Sequence, residues 1–562
     1  MAQRGSLVHF ESLPANPTSP VAPTPLGLQG THHRTCPPPT TLHIGARWRD
    51  VQGANDWKGL MEPHKLDECL RAELIRYGQF AEVAYDAFDF DKFSQYCGSC
   101  RYSKEKLFKE VDLHNTGYKV HMYIYATADV EVPYLLRKSE RADAWSSKSN
   151  WIGYVAVCTD EKEIQRLGRR DILIVWRGTV TGLEWAANLT YHLIPCKLTD
   201  EMKHGESTHI KVEAGFQSLY TSDKDDSRFN KISAQSYLTK GIQDLIDKYK
   251  DDGHELSITV TGHSLGSALA TLSAYDLAEA ELNHVEIGGK NVTIPITVFS
   301  FAGPRVGNGH FKDRVEELGI KVLRVENKGD IVPHVPGFRF LERLHGAYQH
   351  VGVVLHVDDK ESHHLDQSKA SFLNMENLED LITKGDVSPL SVQHNLEVYL
   401  HLIDGYGRYD VWPPSRDPVL VNKFCGFLKN DKFVPESWWQ LKHKGLEYSI
   451  LENRYYQPDR AIEDIPVPPM PKMVAEAQAL KKSLTFKRTR HEEEKLEEKK
   501  LEEKKLEEKP EPQKKSEEKN QPKKISEEKL QPQKKPDEKP LSQKKPEGKH
   551  HVSLKDLLHE EN

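Results

Sequence analysis

The stretch SITVTGHSLGSALATLSAYDLA, residues 257–278, joins an apolar, β-branched segment directly to a helix-forming segment of small residues. At the junction, GHSLG (262–266), Ser264 lies where the strand is expected to end and the helix to begin. This order is typical of a nucleophile elbow, a strained turn in which only small flanking residues fit, so Gly262 and Gly266 are required. The helix amino terminus supplies free amides beside the serine oxygen. The context therefore predicts a nucleophile rather than only a helix N-cap.

Strand-like and helical segments alternate on both sides of this stretch. Apolar runs such as DILIVW (171–176) and PITVFSFAG (295–303) have the length of buried strands, and FNKISAQSYLTKGIQDLIDKYK (229–250) has helical periodicity. Further strands are expected at KVLRVEN and HVGVVLHV, and further helices at HFKDRVEELG and NLEVYLHLIDG. Alternation at these lengths predicts an α/β fold, with a mostly parallel sheet and helices on both faces.

Composition divides the 562 residues into four parts. Residues 1–46 are rich in Ser, Thr and Pro and poor in acidic groups, which is typical of a transit peptide; an untargeted, disordered leader is the alternative. Residues 47–155 mix helical and aromatic segments and are expected to pack on the α/β domain, 156–471. The Lys, Glu and Pro-rich segment 472–562 cannot bury enough apolar surface to fold. A disordered tail is predicted there, as a spacer or as a docking segment.

Charge and cysteine content exclude several classes of protein. The 78 basic and 85 acidic residues give a net charge of -7, which offers no basis for nucleic-acid binding. Seven irregularly spaced cysteines suit a reducing compartment, and the CxxC pair Cys97–Cys100 has no second ligand pair nearby, so we expect it to be structural. No apolar run reaches the roughly 18 to 20 residues that span a bilayer, so membrane contact is expected to be peripheral.

A serine nucleophile needs a histidine to take its proton and an acid to orient that histidine. In proteins with this elbow, the acid and then the histidine follow the serine along the chain. Asp330, in a loop after a predicted strand, is the best acid; Asp358 and Asp359 follow the next strand. His394, just before the last predicted helix, is the best base, whereas His401 lies inside that helix and is expected to pack. Competing histidines are His350, His356, His363 and His364.

An ester-cleaving serine also needs donors for the negative oxygen that develops during the reaction. The amide of Leu265, directly after the serine, is one candidate. The second is Thr179, in the RGT sequence that follows the strand DILIVW, and it offers both an amide and a hydroxyl. A plain turn after the strand is the alternative reading of RGT.

Four segments, VWRGT, GHSLG, NKGDIVPHVPG and HNLEVYLHLIDGYG, resemble in this order the plant class 3 lipases. The likeness is strongest to the plastid phospholipase A1-Iγ group of acylhydrolases, named for defective anther dehiscence, and it spans Trp48–Pro466. Where many relatives have a second glycine after the elbow, this chain has Ser267, which is small enough for close helix packing. The tail lies outside the resemblance.

The resemblance implies an α/β-hydrolase fold and a plastid location, with the cytoplasm as the alternative. It also implies cleavage of the sn-1 ester of glycerolipids at a membrane or lipid-droplet surface, with galactolipids and triacylglycerol as further candidate substrates and without a metal or organic cofactor. Its roles for the residues are nucleophile Ser264, acid Asp330, base His394, and oxyanion donors Thr179 and Leu265.

Three points stay open in the sequence. The segment TGLEWAANLTYHLIPCK has apolar residues that suit a mobile cover over a lipid site, and equally suit core packing: Leu183, Trp185, Leu193 and Ile194. A soluble carboxylesterase would use the same three catalytic residues. A non-catalytic lipid-binding or scaffold protein would keep the elbow fold and act through the tail.

Overall fold

The computed structural model describes residues 42–129, 136, 138–179, 192–198, 209–336, 347–368, 393–412, 416–422, 426–434, 447–451, 454–456 and 459–484. Most of the predicted leader and the tail from residue 485 onward therefore lie outside the described residues. Within the described part, no helix combines the length and the apolar character needed to cross a membrane.

Seven strands form the central sheet: β1 Tyr118–Ala126, β2 Asn150–Cys158, β3 Arg170–Trp176, β4 Leu256–His263, β5 Ile296–Phe301, β6 Lys321–Asn327 and β7 Val353–Val357. They lie side by side in chain order, from β1 at one edge to β7 at the other. Strands β3 to β7 are parallel, while β1 and β2 run antiparallel at one edge. The parallel strands place their carboxyl ends at one edge of the sheet, which is where ligand sites of such sheets form.

Eight helices accompany the sheet within the described residues: α1 Glu68–Asp86, α2 Glu161–Leu167, α3 Ala214–Thr221, α4 Ala234–Tyr249, α5 Leu265–Glu279, α6 Gly309–Glu317, α7 Leu396–Gly405 and α8 (471–484). One apolar core lies under α3, α4, α5 and α6, and a second lies on the opposite face under α1, α2 and α7. The predicted α/β fold, a mostly parallel sheet covered on both faces, is confirmed.

Shorter elements complete the described chain. Helical turns occur at Trp48–Val51, Leu107–Glu110 and Pro418–Asn422. A second sheet contains, in spatial order, Tyr348–Gln349, Gly307–Asn308, Lys211–Glu213 and Leu193–Pro195. Three two-stranded hairpins are formed by Met61–Glu62 with Lys65–Leu66, His284–Ile287 with Lys290–Thr293, and Glu447–Ser449 with Arg454–Tyr456.

The N-terminal segment is part of the central sheet rather than a layer outside it. It contributes β1 and β2, and the sequence-based boundary between residues 155 and 156 falls inside β2. Strand β2 pairs with β3, with Gly153 opposite Trp176. A Cβ atom at Gly153 would lie 2.2 Å from the carbonyl oxygen of Val175, so the pairing needs a glycine there. Strand β2 is buried at every position and β1 pairs with it irregularly, so neither strand shows a strict two-residue alternation.

The folded chain also extends further toward the carboxyl terminus than its composition indicated. Helix α8 begins at residue 471, so the predicted start of the tail at Lys472 is too early. Ala477 in this helix is 1% exposed, and Glu476 forms an ion pair of 3.3 Å with Lys240 of α4. The apolar positions of MVAEAQAL cover one side of a helix, but averaging them with the charged repeats that follow hides this pattern.

Candidate active site

Ser264 occupies the turn between β4, which ends at His263, and α5, which begins at Leu265. Its backbone dihedrals are φ 59° and ψ -128°, and its side chain makes no capping hydrogen bond. An N-cap serine has extended dihedrals and accepts a hydrogen bond from the helix. The geometry is therefore that of a strained turn, a conformation that costs of order 1–3 kcal/mol and occurs mostly at functional sites.

The two glycines of the elbow (262–266) allow its segments to approach closely. A Cβ atom at Gly262 would lie 2.3 Å from the backbone of Gly266, and one at Gly266 would lie 2.3 Å from the carbonyl oxygen of Trp176. Ser267 adds to this packing, because its hydroxyl lies 2.6 Å from the Gly262 carbonyl oxygen and 2.9 Å from that of Phe301. The serine thus fits where many relatives have glycine, and it ties the first turn of α5 to the ends of β4 and β5.

Asp330 and His394 form a buried hydrogen-bonded pair. His394 Nδ1 lies 2.7 Å from Asp330 Oδ2, and the hydroxyl of Tyr399 donates to the same oxygen at 2.7 Å. The other carboxylate oxygen accepts from the backbone amide of Val332 at 2.9 Å. Burial and the nearby Asp330 carboxylate raise the pKa of Tyr399 well above its ordinary value, so this hydroxyl stays a donor. Nδ1 facing a carboxylate leaves Nε2 of His394 as the proton acceptor.

The rival acids and histidines have other contacts. Asp358 forms an ion pair of 3.1 Å with Lys328. Asp359 lies 3.4 Å from the side-chain nitrogen of Gln393, beside His394 rather than against its ring. Among the rival histidines, His350 bonds the carbonyl oxygen of Pro333, His356 lies 4.0 Å from Glu326, and His364 packs on Trp412. In the described part of the chain, Asp330 is the acid that His394 contacts.

The structure brings His394 next to the elbow. Its ring centroid lies 4.6 Å from that of His263, the residue that precedes Ser264. Ser264 Oγ and His394 Nε2 are both buried, and neither has a hydrogen-bond partner among the described residues. Hydrogen bonds between nucleophile and base are often long without substrate and shorten in the complex. Two unpaired buried atoms of complementary chemistry are the expected resting state of such a pair.

The two predicted oxyanion donors lie at the start of α5 and after β3. Leu265 is the first residue of α5, so its amide has no partner within the helix. Thr179 is half-buried. Arg177 donates to the carbonyl oxygen of Gly178 at 2.7 Å and so fixes the Gly178–Thr179 peptide. The Thr179 amide points away from Arg177, because the two groups of a trans peptide are opposed.

The proposed cover can be located only in part, since residues 180–191, with Leu183 and Trp185, lie outside the described residues. Leu193 and Ile194 are half-buried in the strand Leu193–Pro195, which pairs with Lys211–Glu213. These two residues belong to a small sheet. The cover itself stays a prediction for the residues that precede them.

Three residues near the site were not singled out from the sequence: Tyr85, His263 and Tyr399. Tyr399 lies on the first turns of α7 and contacts Asp330, 69 residues away in the chain, so no local spacing points to it. His263 is inside the elbow motif, but strand alternation predicts only the face of the sheet on which its side chain lies and not its partners. Tyr85 lies in α1, far away in the chain, and no local pattern connects it to the elbow.

His401, excluded as the base from its helical position, is 1% exposed and lies 3.0 Å from the hydroxyl of Ser362. Burial, with smaller contributions from Arg416 and His364, lowers its pKa from 6.5 to about 3. Its position in the packed helix α7 agrees with the sequence interpretation.

The lowered pKa of His401 predicts an acid-sensitive fold. Between pH 6.5 and about 3, His401 is protonated in the unfolded chain and neutral in the folded protein. The free energy of unfolding should therefore be unaffected above pH 6.5 and fall by about 2 kcal/mol for this group by pH 5. Urea unfolding at pH 7.5 and pH 5, for wild type and His401→Gln, measures it. The pH-dependent loss should be smaller in the variant, and equal losses would contradict the assignment.

The chain is similar to known proteins. Residues 173–340 match the family model described as lipase, class 3. Phospholipase A1-Igamma3, chloroplastic, of Arabidopsis thaliana is 44% identical over 437 residues, which cover 74% of this chain and 77% of that protein. This chain belongs to the class 3 lipase family. Galactolipase DONGLE, chloroplastic, also of Arabidopsis thaliana, is 41% identical over 65% of this chain and 72% of its own length.

As a class 3 lipase, the chain is a lipid acyl hydrolase, as the sequence predicted. Its matched segment contains Ser264 and Asp330, while His394 lies beyond the match. Lipase II from Rhizopus niveus is similar in structure at 22% identity and a TM-score of 0.31, over 52% of this chain and 82% of that one.

Proposed function

We propose that this class 3 lipase cleaves the sn-1 acyl ester of glycerolipids in the plastid, through an acyl-enzyme on Ser264. The observation that carries the mechanism is the 2.7 Å hydrogen bond between His394 and Asp330 beside a strained serine whose hydroxyl is unpaired. The position of the cleaved ester and the plastid location are supported by the names of the relatives, chloroplastic phospholipases A1 and a galactolipase.

In the first step Ser264 Oγ attacks the ester carbonyl carbon while its proton moves to Nε2 of His394. The carboxylate of Asp330 keeps the hydrogen on Nδ1 and stabilises the imidazolium that forms. The carbonyl oxygen becomes an oxyanion, for which the amides of Leu265 and Thr179 are the proposed donors. The intermediate collapses, His394 returns the proton to the departing lysolipid oxygen, and the acyl group remains on the serine.

Water then resolves the acyl-enzyme by the same path. His394 takes a proton from the water as its oxygen attacks the acyl carbon, and it returns that proton to Ser264 Oγ as the fatty acid leaves. Peripheral contact with a lipid surface would deliver the substrate.

The test is acyl release from three lipids that carry different chains at sn-1 and sn-2: phosphatidylcholine, monogalactosyldiacylglycerol and a triacylglycerol. The wild type should release the sn-1 acid from at least one of the two membrane lipids, and Ser264→Ala should serve as the inactive control. Release mainly from sn-2 would contradict the positional proposal. Faster cleavage of a dispersed butyrate ester than of any lipid would identify a soluble carboxylesterase instead. Failure of a serine-directed phosphonate to label Ser264 would indicate a non-catalytic protein.

Location is tested separately, by fusing residues 1–60 to a fluorescent protein in plant cells. Plastid fluorescence is expected, and a uniform cytoplasmic signal would contradict it.

A further inference from the structure

His263 lies between the nucleophile and the base and has two hydrogen bonds. Its Nε2 lies 2.8 Å from the backbone carbonyl oxygen of His394, and its Nδ1 lies 2.7 Å from the hydroxyl of Tyr85. A carbonyl oxygen only accepts, so Nε2 carries the hydrogen and Nδ1 of the neutral ring accepts from the tyrosine. Burial, followed by the nearby His394, lowers the pKa of His263 well below its ordinary value, which agrees with a neutral ring.

The hydroxyl of Tyr85 also contacts the oxyanion loop. It lies against the backbone of Gly178, where a Cβ atom would be only 2.0 Å from the hydroxyl oxygen. Two hydrogen bonds therefore run from Tyr85 through His263 to the carbonyl oxygen of His394, and the Tyr85 hydroxyl packs on Gly178 at the other end. Together these contacts connect the segment before Thr179 with the segment that carries the base.

We propose that Tyr85 and His263 are positioning residues that hold the oxyanion loop and the base in a fixed relation across the elbow. This inference rests on the proposed roles of Ser264, His394 and Thr179. Neither positioning residue needs to touch the ester. The bond to the His394 carbonyl oxygen fixes the backbone of one loop, and the Tyr85 hydroxyl supports the backbone of the other at Gly178. Small displacements of such loops cost large factors in rate. Tyr85 lies outside the matched segment 173–340, so the N-terminal part of the chain would contribute directly to catalytic geometry.

Other hydrogen bonds also hold the backbone around His394. Asn327 donates to the carbonyl oxygen of Gln393 at 3.1 Å, and Asn395 caps α7. These bonds hold the loop to β6 and to its own helix. Among the described residues, the bond from His263 joins it to the elbow, so breaking this bond should misplace the base without unfolding the loop.

Tyr85→Phe tests the proposal by removing one hydroxyl from a ring that keeps its packing. We expect kcat to fall by about 10-fold and KM to change by less than about 2-fold, because substrate contacts are untouched. The rate of phosphonate labelling of Ser264 should fall in parallel. The matched control is Tyr118→Phe, which removes a buried hydroxyl that donates to Asp171 at the opposite end of β3, 2.7 Å away. It should lower Tm by a few degrees and leave kcat unchanged.

Two His263 variants separate the links. In His263→Gln the side-chain nitrogen can still reach the His394 carbonyl oxygen, but the bond to Tyr85 is lost. The kcat of this variant should therefore fall by about as much as that of Tyr85→Phe. The double variant should have a kcat no lower than either single variant. In His263→Leu both hydrogen bonds are lost, and kcat should fall by about 100-fold. Wild-type kcat in Tyr85→Phe, or an equal loss of kcat in Tyr118→Phe, would overturn the proposal.

A readout independent of activity separates this proposal from the proposed function. In ¹⁵N-histidine spectra, the signals absent from His263→Gln should be those of an Nε2-hydrogen tautomer that does not titrate between pH 6 and pH 8, and Tyr85→Phe should shift them. If the wild type cleaves no lipid and reacts with no phosphonate, the proposed function fails while these spectra still decide the hydrogen-bond chain. A freely titrating His263 would refute the chain even in an active enzyme.

Discussion

Replacing Ser264 with glycine should lower kcat for lipid hydrolysis by at least about 10⁴-fold while making the protein harder to unfold. Catalysis is lost because no other group takes the acyl chain. Stability rises because glycine adopts a φ of 59° and a ψ of -128° without the strain that serine bears. The variant also removes a buried hydroxyl that has no partner among the described residues. Relief of the backbone strain and removal of the unpaired hydroxyl stabilise the fold by more than the flexibility of glycine stabilises the unfolded chain. We therefore expect the free energy of unfolding to rise by about 1 kcal/mol or more.

Ser264→Ala separates the two sources of this gain. Alanine removes the hydroxyl but keeps a side chain in the strained turn, so it should be as inactive as glycine and less stable than glycine by about 1 kcal/mol. Urea unfolding of the three proteins gives the comparison, with phosphonate labelling as the check that only the wild type reacts. A glycine variant clearly less stable than the alanine variant would show that the turn is not strained. A serine kept at a cost in stability is typical of a site selected for reactivity.

The sequence predicted the parts of the fold whose patterns are local and strong. Parallel strands buried on both faces read as continuous apolar runs, so DILIVW (171–176) was identified over nearly all of β3, Arg170–Trp176. The elbow was equally visible, because its glycines and its strand-to-helix order are fixed by the backbone conformation. Asp330 and His394 could be chosen because the carboxyl ends of parallel strands lie at one edge, which limits where a partner of Ser264 can be.

What sequence patterns missed depends on contacts between distant segments. Strands β1 and β2 lie at an antiparallel edge with irregular pairing, and β2 is buried at all nine positions, so neither strand alternates strictly between apolar and polar residues. The link from Tyr85 to His263 joins residues 178 positions apart. Tyrosines are common in buried helices for packing alone, so nothing in α1 distinguishes this hydroxyl from the others. Only the fold shows that it reaches the elbow.

Asp330→Asn should lower kcat by about 10⁴-fold with little change in KM, and it should lower Tm by a few degrees because the new NH₂ group also faces the Tyr399 hydroxyl that donates to this position. Asparagine has the shape of aspartate, and its oxygen can still accept from the Val332 amide, as Asp330 does at 2.9 Å. Its NH₂ group then faces Nδ1 of His394 as a donor. Nδ1 must accept, the ring hydrogen moves to Nε2, and the base presents a hydrogen to Ser264 in place of a lone pair.

Asp358→Asn is the matched control, because Asp358 was a rival acid in the sequence and pairs with Lys328 in the structure. It should keep activity within about 2-fold, since exposed ion pairs contribute little. Rates of acyl release and of phosphonate labelling measure both variants, with thermal unfolding to show that each is folded. A large loss of activity in Asp358→Asn together with near-normal activity in Asp330→Asn would contradict the assignment of Asp330 as the acid. The predicted contrast is sharp because both variants remove one negative charge from a loop after a strand, and only Asp330 sets which nitrogen of His394 carries the hydrogen.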